Sequence, residues 1–213
     1  FTFLSLKHGD VSVATPVLGV KVVMVAVFVT LIAGSTLSPS LWAAAALASL
    51  GVALINKRPA VKHHHVGKTI FTAMLAAASY AMFDVLVQKW SGAWGLGTFL
   101  PTAMIASAIV SLAFIPRMEP VPQRGKGRMQ GWLAAGAIAI SVQSLLIVYA
   151  IARYGKAPEI NVVYASRGLW SILLIWLVGH WFSSLEATNA RSVLGWRFAG
   201  AVLMIAAIAL LFV

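Results

Sequence analysis

Apolar runs of 17 to 25 residues recur along the chain, separated by short polar breaks, and this pattern predicts a bundle of membrane-crossing helices. Each run is long enough to cross a hydrocarbon layer about 30 Å thick at about 1.5 Å per residue. The spans read as 13–35, 40–56, 69–90, 97–116, 131–153, 158–184 and 194–213, preceded by an apolar stump at 1–6. The expected fold is therefore an all-α membrane protein of about seven transmembrane helices. The stretch 40–56, "SLWAAAALASLGVALIN", is short and rich in Ala and Gly, which suits a helix packed closely against a neighbour.

Composition agrees with the pattern: 61% of the 213 residues are hydrophobic and 10% charged, against roughly 25% charged in soluble domains. The formal net charge of +11 does not point to nucleic acid, because the bases crowd between apolar segments and not along a soluble face. Lys7, the four bases of 57–68, the four of 117–130 and Arg191 fall on one side of the bundle, with Lys89, Arg153 and Lys156 on the other. The positive-inside rule then sets the first group in the cytoplasm and the C-terminus outside. Absence of cysteine rules out disulfides and thiolate metal sites. His63, His64 and His65 are consecutive and cannot converge on one ion from a regular backbone, so no metal and no cofactor are expected.

A duplication runs through the chain. "LKHGDVSVATPVLGVK" (6–21) matches "ARYGKAPEINVVYASR" (152–167) at an offset of 146, pairing Lys7 with Arg153, Gly9 with Gly155 and Lys21 with Arg167. Further on, "SLWAAAALASLGVALI" (40–55) resembles "GWRFAGAVLMIAAIALL" (195–211), with Trp42 opposite Trp196. Five helices separate equivalent positions, and an odd number per repeat inverts the second copy.

The "LKHG" turn, the Pro-containing helix after it, the "LSPSLW" turn and the Gly/Ala-rich helix, repeated C-terminally, resemble EamA-type members of the drug/metabolite transporter superfamily. The resemblance covers essentially the whole chain and implies a ten-helix fold of two inverted five-helix repeats. Residues 1–56 would be the C-terminal part of the first repeat, 57–68 a basic linker and 69–213 the second repeat. The chain would then begin at the end of the third helix, as an N-terminally truncated form. One departure is that "STLSPS" (35–40) lacks a glutamate common at that place. The family also implies a cytoplasmic C-terminus, opposite to the charge count.

Charges inside the spans carry the functional expectation, since each costs roughly 2.5–3.5 kcal/mol near a helix centre. Lys21 and Arg167 are repeat-equivalent, and in the family the fourth and ninth helices that hold them line the transport path. Asp84 is the natural counter-charge, and Tyr80, Asp84 and Gln88 recur every four residues on one helical face that should look inward. Tyr164 and Ser171 flank Arg167 at minus three and plus four. Ser141 and Ser144 are weaker candidates, and Glu159 reads as a carboxylate at a helix N-terminus. Two cations and one anion leave the site positive, and an anionic or zwitterionic solute fits it.

The expected function is thus a multi-pass permease of the plasma or inner membrane. It moves a small-molecule solute by alternating access, with Asp84 the candidate for coupling to a proton or ion. A non-transporting scaffold or sensor is the competing class. An intramembrane enzyme is a third, weakened because His180 is the only histidine inside a span.

Overall fold

The computed structural model describes residues 11–56, 66–117, 126–178 and 191–213. Among them the chain is helical throughout, with no strand. The elements are α1 (Val11–Leu18), α2 (Lys21–Phe28), α3 (Pro39–Ile55), α4 (Val66–Trp94), α5 (Leu96–Leu112), α6 (Lys126–Tyr154), α7 (Ala157–Ala165), α8 (Arg167–Val178) and α9 (Arg191–Ala209).

Among the described residues, four helical stretches are long and apolar enough to cross a membrane: Ala14–Ala33, Val66–Trp94, Gln130–Tyr154 and Gly195–Phe212. The crossings expected at 40–56 and 97–116 are shorter apolar helices, α3 and α5, of 17 residues each. The single helix expected over 158–184 is broken at Ser166 into α7 and α8, and its last part lies outside the described residues. The stump 1–6 and most of the linker 57–68 also lie outside them.

Local sequence explains where α2 ends and α3 begins. The ladder of α2 widens into a π turn over Val29–Ala33 and stops at Gly34, whose φ of 68° is the left-handed conformation that a side chain resists. In "LSPS", Ser38 is the N-cap of α3: its hydroxyl accepts from the Leu41 N–H at 3.2 Å, and Pro39 fills the first turn, where a missing N–H costs nothing. Ser38→Ala should lower stability by about 1 kcal/mol. A thermal unfolding shift of a few degrees relative to the parent checks this, and an unchanged midpoint would count against the cap.

The chain divides into two compact units. The first takes the residues up to Leu86 and those from Lys156 on, and the second takes Val87–Gly155. The core of the first unit lies between α2, α3, α7 and α9. It contains Val22, Ala26, Ala44, Ala45, Ala48, Ile55, Val162, Ala165, Met204 and Ala207. So many alanines bring backbones close, and closeness peaks where α3 meets α9. A Cβ built on Gly200 would stand 2.8 Å from the Gly51 carbonyl oxygen, and one on Gly51 would stand 2.7 Å from Met204 Cγ. Gly51 meets Met204 while Ile55, four residues later, meets Gly200, four residues earlier, so these helices run antiparallel.

In the second unit α5 packs on α6, and the Ser91 hydroxyl donates to the Ala152 carbonyl at 3.3 Å, tying the end of α4 to the end of α6. Large apolar side chains such as Ile105, Ile109, Ile138 and Leu146 are exposed here. Such faces suit a hydrocarbon surrounding better than water.

Candidate functional site

Lys21 owes its position to a break in its helix. Between α1 and α2, Gly19 and Val20 form a tightened turn, with N–H groups donating three residues back to Pro16 and Val17, both at 3.1 Å. The turn is pressed against α3. A Cβ on Gly19 would come within 2.6 Å of Val52 Cγ1, and the Ser49 hydroxyl donates to the Gly19 carbonyl at 3.0 Å. Only glycine fits there, and Lys21 follows as the first residue of α2.

Arg167 is placed in the same way. Ser166 N–H donates three residues back to Val163 at 3.0 Å, Leu169 N–H donates to Ser166 at 2.8 Å, and Arg167 opens α8. Each base thus stands directly after a helix break. Lys21 and Arg167, which open the helices after these turns, are 146 residues apart, the offset at which two copies are expected from the sequence to align.

Asp84 comes from α4, whose buried stripe is made of Ala73, Ala76, Ala77, Ala81 and Asp84 itself. Small residues at three- and four-residue spacing let neighbouring helices approach, which buries the carboxylate with them. Lys21 Nζ lies 2.7 Å from Asp84 Oδ2, with the two side chains 18% and 5% exposed respectively. A second group holds the same oxygen. Asn161 Nδ2 on α7 donates to Asp84 Oδ2 at 2.8 Å and to the Ala157 carbonyl at 2.9 Å. A carboxylate so deeply buried is tolerable only with such partners.

Two tyrosines surround the ammonium. Lys21 Nζ is 5.8 Å from the ring centroids of both Tyr80 and Tyr164, at the outer reach of a cation–π contact. The Arg167 guanidinium lies 4.4 Å from the Tyr164 centroid and donates to the Tyr164 hydroxyl. Tyr164 is therefore shared by both cations. Asp84, Lys21, Tyr164 and Arg167 form a continuous chain of polar contacts within the first unit.

The other candidates are less closely involved. Tyr80 belongs to the α4 face expected to point inward, yet it is 49% exposed among alanines that are buried. Its ring nevertheless stands 5.8 Å from Lys21 Nζ. Gln88, one turn beyond Asp84 on α4, is half-buried and belongs to the second unit. Ser171 lies in α8, and its side chain is outside the described part. Ser141 and Ser144 are exposed on α6 in the second unit. Glu159 sits in the first turn of α7, where the helix dipole favours a carboxylate.

Asn161 escaped the sequence reading, although "EINVVYA" shows the signal: an amide three residues before Tyr164 in an otherwise apolar stretch. His63, His64, His65 and His180 lie outside the described residues. Among the described residues no group of three or more His, Asp or Glu side chains is placed to hold a metal.

Comparison of the chain with family models, with curated proteins and with solved structures gives no match.

Proposed function

We propose that this chain is a multi-pass permease of the EamA type in the plasma or inner membrane, carrying a small anionic or zwitterionic solute by secondary transport. The observation that carries the reading is the Lys21–Asp84 pair, at 2.7 Å in an alanine-lined interior and continued through Tyr164 to Arg167. A bundle that only anchors or scaffolds gains little from such a pair, because apolar residues of similar volume in its place are often neutral or stabilising. Asp84 offsets one of the two bases, so the group as a whole is positive. Arg167, the more exposed base, offers a planar fork to a carboxylate or phosphate, and Lys21 adds a compact charge.

Two features support inverted halves moving against each other. Both bases follow a local tightening of the helix from a four- to a three-residue hydrogen-bond step, at positions 146 residues apart, as equivalent positions of two copies would. The α3–α9 crossing, where Gly51 meets Met204 as Gly200 meets Ile55, is reciprocal in the way of any antiparallel pair, and antiparallel is the orientation that inverted copies of one element require.

The test is uptake into liposomes containing the purified protein, against a panel of radiolabelled metabolites. Arg167→Ala should reduce uptake of any transported member at least 100-fold while inserting at parental levels. Uptake by the variant at the parental rate would remove the assignment.

A further inference from the structure

The amide of Asn161 is answered on one side only. The side chain is 1% exposed, and its two amide hydrogens are committed, one to Asp84 Oδ2 and one to the Ala157 carbonyl. Its oxygen Oδ1 is buried and accepts no hydrogen bond from any of the described residues. Exchanging nitrogen and oxygen does not resolve this, because Oδ1 would then face a carboxylate and a carbonyl, both acceptors. A buried acceptor without a donor is unfavourable and calls for an explanation.

The surroundings supply one. Lys21 Nζ and Asn161 Nδ2 converge on the same Asp84 oxygen, at 2.7 and 2.8 Å, and Oδ1 belongs to that same amide group. Lys21 is the more exposed member of the pair. Without its ammonium, Asp84 keeps only the Asn161 amide, whose own oxygen has no donor among the described residues.

We infer that Asn161 Oδ1 receives an O–H or N–H donor of the transported solute, which is therefore an anion bearing a hydroxyl or amine close to its charged group. This rests on the transport reading above. The anionic end draws Lys21 off Asp84 and meets Arg167 beside Tyr164, and the donor takes the place of the departing ammonium. An anion without the donor would break the Lys21–Asp84 pair and leave both acceptors unanswered. It would bind worse for that reason and not for any difference in charge.

Matched probes test this on the unmodified protein: lactate against propionate, and glycerol 3-phosphate against propyl phosphate, each pair differing only in hydroxyl groups. With nitrogen-15 asparagine the chain carries three labelled side chains, at 56, 161 and 189, so NMR resolves a small set of amide pairs. In at least one probe pair the hydroxylated member should bind about tenfold or more tightly and shift the Asn161 amide signals, while its partner leaves them in place. Asn161→Leu should erase that preference, so that the two members of each probe pair no longer differ in binding. Equal binding within both pairs overturns the donor subsite but leaves the transport reading intact. Failure of all four probes to bind overturns the subsite too, and the transport reading is then judged by the Arg167→Ala uptake assay alone.

Discussion

Lys21→Met should be among the most destabilising single changes in the first unit, lowering stability by about 3–5 kcal/mol. The methionine fills most of the space, so the loss is not one of packing. It strands the Asp84 carboxylate, 5% exposed, with the Asn161 amide as its remaining partner. At about 2–4 °C per kcal/mol for a chain of this size, the unfolding midpoint in detergent should fall on the order of 10 °C. Asp84→Asn should cost less, because the Lys21 side chain is 18% exposed and its flexible stem can carry the ammonium outward. The double variant Lys21→Met with Asp84→Leu should recover most of the loss, since removing both charges removes the stranded one. If the single and double variants are equally unstable, the pair is not what sets the cost. If Asp84→Asn is the more damaging change, the assignment of which partner is trapped is wrong.

That asymmetry was beyond the reach of sequence, although the partners were not. Charge is so scarce in an apolar chain that Lys21, Asp84 and Arg167 stand out, and the expected duplication pairs two of them. The helical segments were legible for the same reason, because runs of Val, Ala, Leu and Ile between Pro- and Gly-containing breaks leave little choice of period. The breaks before Lys21 and Arg167 were not visible, since Val20 and Ser166 both keep right-handed helical torsions. What changes there is only the hydrogen-bond step, from four residues to three, and the pressure of Val52 and Ser49 on Gly19 helps to set it. Those neighbours are about thirty residues away. Asn161 was missed because a neutral amide makes no claim on a charge count, although its two donors are what fix Asp84. Tyr80 was placed on the right face but not at the right depth, because periodicity gives direction and not the width of the gap between helices.

Gly200 should be the position least tolerant of a side chain on α9. A Cβ there would lie 2.8 Å from the Gly51 carbonyl oxygen and 2.9 Å from the Ile55 nitrogen, and backbone atoms cannot turn aside as a side chain can. Gly200→Ala must push α3 and α9 apart, at a cost of about 1–3 kcal/mol, and Gly200→Leu should prevent their packing altogether. Gly51→Ala should be milder, because its closest neighbour is Met204 Cγ, at 2.7 Å in a flexible side chain that can repack. Gly195→Ala is the control: none of the described residues lies within 4 Å of a Cβ there, and alanine favours the helix by up to about 1 kcal/mol. The damage from Gly200→Ala should also reach the charged site. Displaced α3 carries Ser49 and Val52, the residues that hold the Gly19 turn, and that turn positions Lys21 against Asp84. Thermal unfolding should therefore rank the variants with Gly195→Ala the most stable, then Gly51→Ala, Gly200→Ala and Gly200→Leu. Uptake into liposomes should fall in the same order. A Gly200→Ala protein as stable as the parent would mean that α3 and α9 are not in close contact, and the reciprocal crossing would lose its basis.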